Sequence, residues 1–136
     1  GIPSSRELPG DFVAFALGVL SAYSRTHHQL GNTLIQFVGD GAALAETYFT
    51  AYHRLRARGD PLAPQNAYDT EMDYLVGGRY LDRFECRDNE WKIVQRTGMT
   101  DWVRLEPACS QGFNDIAAKT IGKRAPDDPV CEFYSA

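Results

Sequence analysis

Two histidines, His28 and His53, carry the side chains in this chain best suited to moving protons near neutral pH. They lie on either side of Gly39-Asp40-Gly41, within the runs HHQLGNTLIQFV and AALAETYFTAYHR. An Asp-Gly pair between two such β-like runs is a hairpin signal. With Asp40 and Gly41 as the central turn residues, Val38 stands opposite Ala43. Counting outward in step then brings His28 opposite His53, on one face, with Cβ atoms about 4.5–5.5 Å apart. That face also carries Asn32, Leu34, Gln36, Val38 and Phe49, while Phe37, Tyr48 and Tyr52 share the other. A bulge or a one-residue slip would change the partners, because strand side chains alternate with period two. A hydrogen-bonded structural role is the plainer alternative for either ring, and His27 points away from the pair.

The remaining elements must hold this hairpin in place. Phe12, Phe15, Ala16, Val19, Leu20 and Tyr23 recur at helical spacing after Asp11, which suits an N-cap, so a helix is predicted over 11–25. Its apolar stripe serves core packing more readily than ligand contact. The stretch 57–73 holds Gly59, Pro61, Pro64 and Asn66 and reads as a long irregular loop. A third strand follows over 74–86, with a bulge or bend at Gly77-Gly78. Asp88-Asn89 then turns the chain into a fourth strand over 91–105. In that pairing Phe84 meets Ile93 and Glu85 meets Lys92, and Gly98 lies opposite Arg79. Beyond Pro107 a short helix is expected within 114–121, then an exposed segment over 123–129. Cys131, Phe133 and Tyr134 dock on the body or on another subunit.

The chain has 136 residues, is 43% hydrophobic and carries a net charge of −4. These values describe a single domain over 1–136, with a core over 10–105 and a tail over 106–136. An acidic balance without basic clusters argues against nucleic acid or an anionic membrane as partner. No apolar run approaches the length of a membrane span. Cys86, Cys109 and Cys131 have no metal-ligand spacing, which favours reduced thiols and a cytoplasmic setting, with a Cys109–Cys131 link as the alternative.

The succession of a helix, RTHHQLGN, the Asp-Gly turn, AETYFTAYHR, GGRY and EWKI ending in Asp101-Trp102 resembles the SnoaL-like domains of the nuclear transport factor 2-like superfamily. The likeness runs from Asp11 to Trp102 and is nearest the branch of scytalone dehydratase and bacterial polyketide cyclases. It implies an α+β fold, a cone in which a curved, mostly antiparallel sheet wraps over helices around a pocket. RTHHQLGN matches the RTQH-x-IGG segment of the dehydratase, which implies a catalytic role for His28, and His53 falls at the spacing of its second catalytic histidine. Two polar strand residues of the dehydratase fall on Gly78 and Tyr80, a departure that implies a different substrate. Family members also carry an Asp and one or two Tyr on earlier helices. Only one helix is legible before the hairpin here, so an N-terminally truncated domain is expected.

The resemblance therefore implies a cofactor-independent lyase or isomerase acting on a hydroxylated cyclic or polyketide-like molecule. His28 would serve as general base or form a dyad with an Asp of the earlier helices, and His53 would bond the substrate oxygen or leaving hydroxyl and supply a proton. Asn32, Phe49, Tyr80, Met99 and Asp101 are the candidate substrate contacts, with core packing as the alternative for Phe49 and Met99. A homodimer or homotrimer through the outer sheet face is expected. A non-catalytic ligand-binding or oligomerisation module on the same fold is the second reading. A metal site built on the two histidines is the least favoured, because spacing places no third ligand.

Overall fold

A computed structural model describes residues 9–135, with side chains at residue 14 and from residue 16 onward. Its elements are α1 (Pro9–Ser21), β1 (Tyr23–Val38), β2 (Ala42–Leu55), β3 (Met72–Arg87), β4 (Glu90–Pro107) and a short α2 (Pro129–Phe133). The four strands form one antiparallel sheet in the order β1-β2-β3-β4. The helix starts two residues earlier than predicted and stops four earlier. Tyr23, Ser24 and Arg25 join the sheet instead, where Tyr23 pairs with Leu55. The assignment of Phe12 and Phe15 to a packing stripe lies outside the described residues.

Each connection has a physical reason. Asp88 and Asn89 take φ of 54° and 62°, the left-handed pair that a two-residue hairpin with matched twist requires. The β1–β2 connection differs from the expectation. Val38 pairs with Ala42, so Gly39, Asp40 and Gly41 form a three-residue loop, with Gly39 at φ 66°. The loop over 56–71 is ordered locally by Arg58, which bonds the Ala67 carbonyl and pairs with Asp69.

One face of the sheet, called inner below, buries Ala43, Ala45, Ala51, His53, Val76 and Asp82. The other carries Arg54, which is 4% exposed and joined to Asp73 by two hydrogen bonds of 2.9 and 3.1 Å. Arg54 also donates to Ser110 Oγ and the Cys109 carbonyl, so one buried guanidinium ties the tail to the sheet. Tyr52 donates to the same Asp73 carboxylate. Burial pushes the Asp73 pKa up, but the bonds from Arg54 and Tyr52 together hold it below the usual carboxylate range.

The tail corrects the expectation of a helix within 114–121. Residues 114–121 form no α-helix, only a 3-10 turn at Ala118–Thr120 after another at Gln111–Phe113. The helix comes later because Asp128 accepts from the Val130 amide and Pro129 fills the first helical position. Phe133 and Tyr134 are 74% and 82% exposed, so they do not dock on the body. The three thiols are free. Among the described residues no helix is long and apolar enough to cross a membrane.

The glycine pair in β3 tests the sheet's curvature. Gly77 and Gly78 face a bulge at Asp101, and a Cβ on Gly77 would overlap the Trp102 indole while one on Gly78 would overlap the Met99 carbonyl. Gly77→Ala or Gly78→Ala should therefore lower stability by about 1–3 kcal/mol in urea unfolding. Gly18→Ala, in open space on α1, should raise it by about 0.5–1 kcal/mol. Equal effects at Gly18 and Gly77 would show that the close approach of Trp102 does not matter.

Candidate active site

The two histidines reach each other by a different register from the one the turn predicted. Leu30 pairs with Phe49 and Thr33 with Thr47, so Gly31 and Asn32 stand against Tyr48 alone as a bulge. Beyond it His28 lies opposite Ala51 and His53 opposite Thr26. The rings are thus diagonal neighbours on one face, and His28 Nε2 and His53 Nε2 are 2.9 Å apart. Ring centroids lie 4.9 Å apart in an edge-on arrangement, which directs nitrogen at nitrogen.

The hydrogen-bond network assigns the protons. His53 Nδ1 lies 3.3 Å from the Tyr74 carbonyl oxygen, which can only accept, so Nδ1 carries the hydrogen. In neutral His53 the Nε2 lone pair is then the acceptor, and His28 Nε2–H is the donor. What remains is the Nδ1 lone pair of His28. Both nitrogens of His53 thus have partners within the protein. Tyr23 and Tyr74 complete the cluster, with ring centroids 4.7 and 5.5 Å from that of His53.

Burial is graded across the pair. His53 is 7% exposed, while His28 is exposed to solvent. Burial lowers the His28 pKa, helped by the charge of His27. Burial also lowers that of His53, with His28 adding to the fall and the Tyr74 carbonyl partly opposing it. Both shifts favour the neutral form of the rings. Burial raises the Tyr23 pKa, and the neighbouring Tyr74 adds to that, which keeps the phenol protonated.

The other candidates divide between the two faces. Phe49 and Tyr80 lie on the inner face, stacked at 4.4 Å with an angle of 16° between planes. Arg96 covers Tyr80 at 4.1 Å and is held there by two bonds to Asp82, of 2.7 and 2.8 Å. Gly78 and Tyr80 both share the face of His53, and Gly98 pairs with Tyr80 rather than with Arg79. Asn32 sits in the bulge, exposed. Met99 and Asp101 do not join the site. Met99 pairs with Arg79 on the outer face, and Asp101 makes two bonds of 3.1 Å to that arginine. The bulge at Asp101 turns its carboxylate away from the histidines. Phe37 moves the other way: it pairs with Ala43 and lies on the inner face, 5.9 Å from Trp91, whereas Leu34, Gln36 and Val38 lie outside. Sequence reasoning missed Tyr74 and Arg96, and it placed Tyr23 in the helical packing stripe rather than on the strand. Tyr74 is the direct cross-strand partner of His53, a signal that a β2–β3 register would have supplied.

A match to the SnoaL-like domain covers residues 4–97, more than half of the chain. The chain belongs to the SnoaL-like domain family. Its sheet matches that of three solved structures at the level of fold. A Kribbella flavida protein, Kfla4162, is 21% identical with a TM-score of 0.55, over 70% of this chain and 59% of that one. A type 2 hexachlorocyclohexane dehydrochlorinase, LinA, is 20% identical with a TM-score of 0.59, over 74% and 61%. A candidate scytalone dehydratase from Novosphingobium aromaticivorans is 22% identical with a TM-score of 0.52, over 68% and 54%. The chain thus spans 54–61% of the length of these neighbours. No curated protein matches it in sequence. Among the described residues no three His, Cys, Asp or Glu side chains gather as metal ligands.

A stability test follows for this SnoaL-like domain from the lowered histidine pKa values. The unfolded chain takes up protons near pH 6.5, the folded rings only below it, so unfolding gains protons as pH falls. The stabilisation is fully present above about pH 6.5 and is lost as pH drops through the lowered folded values. The urea midpoint should fall between pH 7 and pH 5, and His53→Gln should flatten that part of the profile. An unchanged slope in His53→Gln would assign the acid sensitivity to other groups.

Proposed function

We propose that this SnoaL-like domain supports cofactor-independent elimination or isomerisation, with His28 as the general base. The observation that carries the reading is the 2.9 Å bond between the two Nε2 atoms, which leaves one basic nitrogen on the exposed ring. His28 Nδ1 would take a proton from carbon next to a carbonyl, and the C–H electron pair would move onto the carbonyl oxygen as an enolate. Collapse of the enolate would form a C=C bond and break a C–O bond at the β carbon. The departing hydroxyl would leave as water with the proton returned by the His28 imidazolium. Return of the proton to a different carbon would instead give isomerisation.

His53 acts on this chemistry through His28 as a positioning residue. Anchored by the Tyr74 carbonyl, it fixes the tautomer that exposes His28 Nδ1 and accepts the bond that strengthens when His28 becomes cationic. An apolar cyclic substrate would lie against Leu30, Phe49 and Tyr80 beside the base. The enzymatic neighbours, a dehydrochlorinase and a candidate dehydratase, are consistent with removal of a proton and a leaving group.

The same open apolar surface, with Leu30 65% and Val103 49% exposed, also suits a non-catalytic ligand-binding module. One experiment separates the two. The probe 5-nitrobenzisoxazole opens when a base removes its C–H proton, breaking the N–O bond and releasing a coloured phenolate. The wild-type chain should accelerate opening, with a rate that rises with pH and levels off above the lowered His28 pKa. General-base catalysis is worth about 10²–10⁴-fold, and His28→Ala should lose a drop of that order. His53→Gln should lower kcat less and move the midpoint of the pH profile. Wild-type turnover in folded His28→Ala would overturn the assignment, and probe binding without turnover would favour the binding module.

A further inference from the structure

A cleft of about 360 Å³ opens where the outer side of β1 meets the C-terminal segment. Its wall includes Arg25 and His27 on the strand and Lys123 and Arg124 on the tail, with the hydroxyl-bearing Ser24 and Thr120. The charge around it is unlike that of the rest of the surface. Elsewhere the described arginines, and Lys92, are each in an ion pair with Asp or Glu. Among the described residues, Arg25, Lys119, Lys123 and Arg124 have no such carboxylate partner, and three of these four line the cleft.

The guanidinium groups are held in place by neutral groups. Arg25 donates to the Gly122 carbonyl at 3.1 Å and lies 4.4 Å from the centre of the Phe113 ring. Arg124 donates to Thr26 Oγ1 at 3.0 Å and to the Leu20 carbonyl at 3.1 Å. Carbonyls, a hydroxyl and an aromatic face orient these cations without neutralising them. A guanidinium has five N–H donors, so each keeps donors beyond the bonds it makes. Lys123 is exposed and contributes its backbone amide, not its ammonium, to Asp128. Asp128 is the one carboxylate in the wall; its oxygens accept from the backbone amides of Lys123 and Val130, and its charge is balanced in part by the Lys123 ammonium. In a chain of net charge −4, three cations against the single carboxylate of Asp128 leave an excess of positive charge in a concave site, which favours an anion.

We propose that this cleft binds an oxyanion, a phosphate ester or a carboxylate carried by a small-molecule ligand, through Arg25, Lys123 and Arg124. The inference is independent of any proton transfer at His28. The two sites nevertheless share β1. Thr26, which anchors Arg124, is the strand partner of His53, and Arg25 and His27 alternate with Thr26 and His28. A ligand anchored at the edge could therefore carry an anionic group on one side of the strand and an apolar ring on the other.

The test is binding of inorganic phosphate and of acetate to the full chain, each against chloride at matched ionic strength, followed by backbone amide shifts. Phosphate or acetate should saturate shifts at His27 and at residues 120–124, and the tighter of the two identifies the class. Losing one charge-assisted bond costs about 1.5–3 kcal/mol, roughly tenfold or more in Kd. Arg25→Gln and Lys123→Gln should each weaken binding by about that factor. Lys123 is the safer substitution because its ammonium makes no bond within the described fold. His28→Ala should bind the anion like wild type, which keeps failure here distinct from failure of the catalytic reading. Anions no more effective than chloride, or full affinity in folded Lys123→Gln, would overturn the proposal.

Discussion

The register between β1 and β2 is the constraint on which the site depends. A three-residue loop at Gly39–Gly41 displaces the pairing by one residue from that of a two-residue turn. On its own that shift would put His28 and His53 on opposite faces, because side chains alternate along a strand. The bulge at Gly31-Asn32 adds a second single-residue shift. The two together restore a common face and leave the rings diagonal rather than opposed. Diagonal placement suits the chemistry, since it lets the imidazoles meet edge-on at their nitrogens instead of stacking side by side. A third irregularity, between Tyr23 and Arg25, turns Tyr23 onto the same face against His53. Gly31 belongs at the bulge because a Cβ there would crowd Tyr48 Cβ at 3.3 Å.

Much of the architecture was legible in the sequence for reasons that are local. The Asp88-Asn89 turn, and the pairing of Phe84 with Ile93 and Glu85 with Lys92, depend on neighbours close in the chain. The candidate site was legible in part, and for a less secure reason. The predicted direct pairing of the histidines rested on a turn type that does not form, and their proximity survives only because two displacements leave them on one face. Met99 and Asp101 show the same physics with the opposite result. A single bulge at Asp101, together with pairing of Met99 to Arg79, places both beyond reach of the histidines. Bulges are set by contacts between strands, such as Trp102 over Gly77, and periodicity within one strand does not reveal them. The helix at Pro129 was legible in Asp128-Pro129 but was masked by reading that segment only as charged and proline-rich.

The choice of partner for His28 has electrostatic consequences. A carboxylate beside an imidazole favours its charged form and raises its pKa, whereas a second buried imidazole does not. Here both rings are shifted downward, so the free base persists to lower pH at the cost of intrinsic basicity. The Tyr74 carbonyl limits the loss. It fixes the hydrogen on His53 Nδ1 and leaves Nε2 as an acceptor aimed at His28, so the proton-accepting nitrogen faces away from the pair. The nearby acidic side chains are instead committed to arginines: Asp82 to Arg96 on the inner face, Asp73 to Arg54 and Asp101 to Arg79 on the outer.

Those commitments make the edge of the sheet distinctive. On the interior strands Arg54 and Arg79 meet carboxylates across the ladder, and Arg83 and Arg87 share Glu85 on their own strand, so positive charge there is cancelled. β1 is an edge strand, and on its free side the partner is the tail rather than another strand. The tail offers Arg25 a carbonyl and a ring, and it adds two cations of its own. Alternation along β1 then separates two environments by the thickness of one strand, neutral imidazole and apolar surface inside, positive charge outside. Because Arg124 reaches across the edge to Thr26, movement of the tail by a bound anion would act directly on the strand that carries His28.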